Sequence, residues 1–502
     1  MTSIPATSAS TIVAYELPDQ ARALLADGFR LALVAGHDDR PTGGGLRAVY
    51  LFTRAATTID PARRAELHVP LDPDRPRVPS LAGMSFPAGR FEREMRDLFG
   101  ITPVDHPLPR RLVRHFHWPR GWYPMLSDSG EPPAFADVDG PYPFRTVEGP
   151  GVYEIPVGPV HAGMIEPGHF RFSVVGETIL NLKARLWFVH RGIEKLFQGR
   201  TPSQGIDLAE RISGDTSVGH TLAFCAAVED ALDITVTDEV HRRRAVLLEL
   251  ERLYNHVTDI GALCNDVAHS VLNSHAGRVR EQLLRLNDQV TGHRLLRGAI
   301  QPTRTILRTL PNPDVLGAIA DDVAEIVGLA LGHSVIRDRF AGTAVITAAQ
   351  ATDIGALGYV ARASGLRVDA RYDHPSLPGP LPRPVLDDPD GDVLARFRIR
   401  AQEFHHSVAV ITALATAPGE EPDAASPPLT GTRSGVGIVE GWRGTIVHRV
   451  ELGPDATLTR VKIVDPSFFN WPALPVALAD TIVPDFPLVN KSFNLSYAGN
   501  DL

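Results

Sequence analysis

Val246, Leu250, Leu253, Val257, Ile260, Cys264, Val267 and Val271 recur at alternating steps of four and three. That spacing draws one apolar face along a long helix, at a coiled-coil-like period, and the helical pattern runs over roughly 239–297. Helices are therefore expected to dominate the middle of the chain. Cys264 sits on the stripe and reads as a small buried hydrophobe rather than a ligand. Helical patterns return at 314–331 and 394–416, and the Pro- and Asp-rich stretch 372–392 reads as a loop.

The flanks look different. Residues 11–120 read as a small α/β unit: an extended run begins at Thr11, a helix suits Pro18 to Ala26, and strands suit Leu31 to Val34 and Leu46 to Phe52. Residues 126–148 are rich in Ser, Asp, Pro and Gly and read as a linker. Strand-like segments follow at Tyr153 to Pro159 and Gly168 to Val175. The tail from 434 reads as strands and turns with an irregular, Pro-rich end. The expected class is α+β: a small α/β domain over 1–125, a linker over 126–148, and a mainly helical domain over 149–502 with a β-rich start and a β-containing tail.

Composition excludes several functions. With 502 residues and 43% hydrophobic content the chain can bury an ordinary core. A net charge of −9 makes nucleic acid an unexpected partner. Cys225 and Cys264 are the two cysteines, and neither stands in a Cys-x-x-Cys pair, so no thiolate zinc or iron–sulfur site is expected. Met1 to Ser10 is polar and lacks the apolar core of a signal peptide, and no window approaches the ~20 apolar residues of a membrane span. A cytoplasmic chain is expected.

The motifs are more specific. Phe91 to Ile101, with His106-Pro107 and Arg110-Arg111-Leu112, resembles the small peripheral-arm subunit of complex I, designated C. Its alternating Arg and Glu read as a solvated or ion-paired face. Further on come Gly158-Pro159-Val160-His161, Gly168-His169-Phe170-Arg171, His190 to Lys195, Glu210-Arg211, Ala227-Val228-Glu229, Glu249 to Arg252 with His256, Ala361 to Gly365 with Asp369 and Arg371, and Gly441 to Gly444. Their order over some 340 residues resembles the large subunit shared by group 4 nickel–iron hydrogenases, formate hydrogenlyase and complex I, where it is designated D. The chain is similar to a C–D fusion.

That resemblance implies a metal site whose ligands are gone. Where the hydrogenases carry two Cys-x-x-Cys pairs, this chain has Ser213, Thr216, Ser467 and Asn470. Nickel and iron there need soft, anionic thiolates, and neutral hydroxyls and an amide are poor substitutes. His220, which accompanies the metal in the hydrogenase pattern, reads equally as a hydrogen-bonded core residue. In complex I the same region takes a quinone between a loop His, a Tyr and an Asp, because a quinone accepting two electrons also needs protons. The Asp position is kept as Asp266, the Tyr position falls at Gly214, and the tip His falls at Ile165 or Glu166, with His161 earlier on the same loop.

The tail from Asn470 to Tyr497 resembles cysteine-free, energy-converting hydrogenase-related members. The family places Arg191, Glu194, Glu210, Arg211 and Asp465 around the former metal site. Asp266, Glu194, Arg191 and His161 are the expected catalytic residues, and a static salt-bridge network is the competing reading.

The resemblance implies a peripheral-arm subunit on the inner face of the cell membrane, coupling electron transfer to ion translocation. A small iron–sulfur subunit with a 4Fe–4S cluster and integral-membrane ion-translocating subunits are the implied partners. It leaves open a quinone at the vacated site. No Gly-x-Gly-x-x-Gly follows a strand, so NAD(H) is expected only at the level of the complex. The alternative is a non-catalytic scaffold that transmits conformational change in an ion-transporting complex.

Overall fold

In the computed structural model the structure describes residues 7–57, 61, 63–136, 138–163, 165–377, 384–415 and 433–502. Part of the expected 372–392 loop and the first residues of the polar N-terminus lie outside these. The chain divides into two units, one comprising residues up to 146 with 185–195 and 501, the other comprising the rest.

In the first unit, strands Thr7–Thr11, Arg63–Leu71, Leu46–Arg54 and Arg30–Asp38 lie side by side in that order. The first pair is parallel, Thr7 opposite Arg64, and the others are antiparallel, Leu46 opposite both Leu71 and Asp38. Arg63–Leu71 escapes a sequence reading because its alternation is carried by charged residues and ends in Pro70. Helix Phe86–Phe99 packs on the sheet so closely that a Cβ at Gly36 would stand 2.7 Å from the Phe99 ring.

The expectation of a solvated Arg/Glu face on this helix is overturned. Glu92, Arg93, Glu94 and Asp97 are all buried. Glu92 accepts from Ser80 Oγ (2.6 Å) and Leu81 N–H (2.7 Å). Arg93 donates to the carbonyls of Arg110 and Arg111, and Asp97 accepts from the N–H groups of Leu112 and Val113. These charges satisfy the backbone of flanking loops that would otherwise be buried without partners.

The second unit is mainly helical, as the α+β class requires. The long apolar stripe belongs to two helices, Asp238–Asp266 and Ser270–Thr291, not one. The chain reverses at Val267–His269, with Ala268 at φ 65°. The helices fold back on each other, and a Cβ at Gly261 would meet that of Ala276 at 2.6 Å. The stripe is buried through Val267, whereas Val271, just past the turn, is 61% exposed.

A sheet of Arg433–Gly441, Gly444–Leu452 and Leu458–Val464 lies on helix Ser217–Ala231. Gly435 and Gly437 permit the approach: Cβ atoms there would stand 2.2 and 2.0 Å from the carbonyl oxygens of Ala227 and Ala223. Beyond Val464 the chain is helical, over Pro466–Asn470, Ala473–Ala477, Phe486–Phe493 and Tyr497–Asp501, where turns and an irregular end were expected. Among the described residues no helix is long and apolar enough to cross a membrane.

Charge is buried deep in this unit. Glu403 accepts from His256 Nε2 (2.9 Å) and Arg362 Nε (2.6 Å), and Arg362 also reaches Glu440 (2.7 Å). Glu249 pairs with Arg252 (3.0 Å) and Arg371 (3.2 Å). The cluster ties the long helix, helix Val393–Ala415, the segment 358–371 and the sheet together.

Candidate functional site

Ser213, Thr216, Ser467 and Asn470, where the resemblance led us to expect thiolates, are buried, and each polar group is already spent within the protein. Ser213 Oγ donates to Asp215 (3.0 Å) and shares a hydrogen bond with Ser496 Oγ (2.8 Å). Thr216 Oγ1 donates to Asp215 (3.0 Å) and accepts from Trp442 Nε1 (3.1 Å). Ser467 Oγ accepts from the N–H of Ser496 (3.0 Å). The Asn470 amide spans the backbone of Leu357, accepting from its N–H (2.9 Å) and donating to its carbonyl (3.1 Å). The tail closes over them: a Cβ at Gly499 would fall 2.5 Å from the Asp465 carboxylate. Hard, neutral oxygen and amide groups committed to internal bonds do not fit a thiolate-held nickel–iron centre.

Beside them runs a buried chain of two imidazoles and a carboxylate. His220 Nε2 contacts Asp465 Oδ2 (3.0 Å), and His220 Nδ1 contacts His448 Nε2 (3.1 Å). Burial, reinforced by His220, holds His448 well below the usual histidine range, so it is neutral. The Nδ1 of His448 has no hydrogen-bond partner among the described residues. A neutral His448 with its proton on Nε2 donates to His220, which donates to Asp465, and leaves that Nδ1 as a bare acceptor. His220 is thus a bonded core residue, the bland alternative foreseen for it.

Glu251 caps the start of helix Ser217–Ala231, accepting from the N–H groups of Val218 (2.6 Å) and Gly219 (3.0 Å). Burial nevertheless pushes its carboxyl up to about 8. A carboxyl raised on folding stabilises fully below its unfolded pKa of about 4.3, and that share is lost as pH climbs through the folded value. Glu251→Gln is therefore expected to flatten the decline of stability between pH 5 and pH 8, on the order of the interval between those pKa values. Urea midpoints measured across that range test this; parallel profiles for the two proteins would count against it.

A cavity of about 690 Å³ opens in the second unit against this scaffold. His161, Ile165, Glu166, Gly214 and Asp266 all line it, so the loop, the glycine and the aspartate singled out in the sequence share one space. Asp266 ends the long helix; burial raises its carboxyl above the usual range, and the Lys491 charge partly opposes that. His161 is held by Gly168 O at Nε2 (2.7 Å), and Glu166 accepts from the N–H of Ala498 (3.0 Å). Asp215 and Arg443 form a two-pronged pair (2.6 and 2.7 Å) in the wall, with Arg443 also bonded to Asn494 O (2.6 Å).

The other expected residues lie elsewhere. Arg191 and Glu194 fall in the first unit, Arg191 exposed and Glu194 buried, and neither lines the cavity. Arg211 is exposed and bonds to Asp207, while Glu210 is buried against the N–H of Gly298. Asn490, Lys491, Asn494, Ser496 and Tyr497, which the sequence reading left in an irregular tail, do line it.

Three families match parts of the chain: respiratory-chain NADH dehydrogenase, 30 Kd subunit, over 11–132; nickel-dependent hydrogenase over 191–264; and respiratory-chain NADH dehydrogenase, 49 Kd subunit, over 266–428. Formate hydrogenlyase subunit 5 of Escherichia coli is 30% identical over 94% of this chain and 85% of its own length. Hydrogenase-4 component G of the same organism is 31% identical over 95% and 84%. The chain belongs to the hydrogenase large-subunit and complex I C/D family. The C/D fusion of the NADH-quinone oxidoreductase of Phocaeicola vulgatus is 28% identical over 68% of this chain and 70% of its own. The fold is shared with a chain of the membrane-bound sulfane sulfur reductase, an archaeal respiratory membrane complex: TM-score 0.65, 23% identity, 70% of this chain and 99% of that one. The two cysteines of this family member, Cys225 and Cys264, are buried, and neither stands at 213, 216, 467 or 470.

Proposed function

We propose that this chain is a peripheral-arm subunit of a membrane-bound, complex I-like or formate hydrogenlyase-like oxidoreductase that has no nickel–iron centre and takes an electron acceptor of quinone type in the cavity at Asp266. The observation that carries this reading is the cavity itself. It gathers Asp266, His161, the 165–166 loop and Gly214 in one space, with mixed apolar and charged walls suited to a ring bearing carbonyl groups. Asp266 and His161 are the residues proposed to serve the acceptor. For Arg191 and Glu194, which do not line the cavity, the proposed role is the static salt-bridge network rather than the chemistry.

Electrons would arrive from a 4Fe–4S cluster in a small partner subunit, because this chain has no cysteine pair to hold one. Integral-membrane partners would couple the transfer to ion movement and hold the chain at the inner face of the membrane. NAD(H), if the complex uses it, would bind another subunit. On this reading 1–125 is the C-like domain, 126–148 the linker and 149–502 the D-like domain.

The test is direct. A Cβ at Gly214 would meet nothing within 4 Å, so Gly214→Trp is accommodated by the backbone and fills the cavity. Acceptor reduction by the purified complex is expected to fall by at least ~10-fold in this variant, the range expected when a positioned ligand is displaced, and the wild-type complex is expected to contain no nickel bound by this chain. Stoichiometric nickel on this subunit would overturn the proposal. Wild-type rates in Gly214→Trp would favour the scaffold alternative.

A further inference from the structure

Among the described residues, no cation balances the carboxyl that helix Phe86–Phe99 buries at Glu92. Its Oε2 accepts from Ser80 Oγ (2.6 Å) and its Oε1 from the Leu81 N–H (2.7 Å), and the residue is fully buried. Both donors belong to the loop that leads into the helix, where Ser80 Oγ in turn accepts from the Ala82 N–H (3.1 Å). One basic group stands within 4.0 Å, the His106 imidazole, with Nε2 at 3.9 Å. Its own bonds make it neutral. Nε2 faces the carbonyl of Gly89 (2.9 Å) and so carries the proton, while Nδ1 accepts from the Leu108 N–H (2.9 Å) and so carries none.

The sheet beneath supplies no countercharge. Gly36 faces the helix, so strand alternation puts Val34 and its cross-strand partner Tyr50 on that face and turns His37, Arg47 and His68 to the other, where Arg47 bonds both imidazoles. Tyr50 is fully buried, its hydroxyl has no hydrogen-bond partner among the described residues, and the Glu92 charge acts on it. On the helix itself, Arg93 and Arg96 are turned to the carbonyls of residues 109–111, and Arg90 lies over the Trp187 ring. A carboxyl so placed is favoured as the acid, since its ionised form has two hydrogen bonds and no opposite charge. Burial accordingly pushes it up to about 7, against the lowering pull of Ser80 and Leu81.

We propose that Glu92 is a proton-binding switch in the first unit: as the acid it holds the Ser80–Leu81 loop against the helix, and its ionisation releases that loop, because opening lets water reach the charge. The switch is separate from the acceptor cavity and stands whatever that cavity binds. The stabilising share of the acid is complete below the unfolded carboxyl value of about 4.3 and is lost as pH climbs to the folded value. One proton released per opening makes the open population rise by close to tenfold per pH unit in that interval and level off above it.

Hydrogen exchange of the full chain, read by mass spectrometry on the fragment spanning 80–85 and corrected for intrinsic rates, tests this between pH 5 and pH 8. Protection is expected to fall by about tenfold per unit from pH 5 and to level off above about pH 7. Glu92→Gln, which cannot ionise, is expected to give a flat profile. Ser80→Ala removes a bond that favours the charged form, so its levelling point is expected at higher pH; it decides the matter where the glutamine variant fails to fold. A flat wild-type profile would overturn the proposal. So would a slope that persists in Glu92→Gln, or a levelling point unmoved in Ser80→Ala.

Discussion

Glu403→Ala is expected to cost about 3–5 kcal/mol of folding stability, the range for removing one partner of a buried ion pair. Glu403 is fully buried between two guanidiniums and an imidazole: Arg362 at 2.6 Å, Arg252 at 3.8 Å and His256 at 2.9 Å. Burial alone would raise its carboxyl, but the Arg362 charge and the His256 hydrogen bond hold it well below the usual range. Burial in turn keeps His256 below its usual range, so the imidazole is a neutral donor and the balancing charge is carried by the arginines. Without the carboxylate, Arg362 keeps Glu440 but loses the partner on its Nε, and Arg252 keeps Glu249. Asp369 and Glu440 still balance part of the charge, but the Arg362 Nε–H and the His256 Nε2–H are left without the acceptor they had, where no water reaches them.

A loss of that size is a large fraction of the roughly 5–15 kcal/mol that holds a typical domain folded, so poor soluble yield and a lowered urea midpoint are the expected readouts. Because this carboxyl is depressed in the folded state, its stabilising share is present above its unfolded pKa and lost only as acid protonates the folded form. The gap between wild type and Glu403→Ala should therefore narrow on acidification. Glu403→Gln, which keeps shape and one hydrogen bond, is expected to fall between the two. A midpoint within error of wild type for the alanine variant would mean that the cluster is redundant.

Periodicity carried the sequence reading as far as local pattern reaches. The stripe from Val246 to Val267 was legible because a buried helix face repeats its apolar residues. Its break at Ala268 was not, since the helix Ser270–Thr291 resumes an apolar pattern of its own and no Gly or Pro marks the turn. The charged helix Phe86–Phe99 misled for a related reason. Composition records that Arg and Glu are polar, but not that backbone groups at residues 80–81 and 110–113 would come to meet them. The site divides the same way. Motif spacing singled out Ser213, Thr216, Ser467 and Asn470, and the family resemblance singled out Asp266. What occupies the space between them comes from residues 486–499, some 220 to 280 positions away from Asp266 and Ser213, and no local signal in that tail announces it.

Asp266→Asn is the change expected to cost most in turnover. On the acceptor reading, reduction of a quinone delivers two electrons and requires two protons, and a carboxyl that is protonated near neutral pH is a competent donor. Burial raises the Asp266 carboxyl, which favours its protonated, donating form, with Lys491 pulling in the opposite direction. An amide of the same shape can still hydrogen-bond the acceptor but has no proton to give up. The expected result in the purified complex is a fall in kcat of about 10²-fold, the lower end for loss of a general acid, with KM for decylubiquinone little changed. The donor acts in its protonated form, so the wild-type rate should decline as pH rises through the Asp266 pKa, and that decline should vanish in Asp266→Asn.

Lys491→Met separates the roles of the two neighbours. Removing the ammonium removes the influence that lowers the Asp266 pKa, so the alkaline decline should move to higher pH. A shifted profile with unchanged KM would assign Lys491 to tuning Asp266 alone. A raised KM with an unshifted profile would mean that some other group is the proton donor.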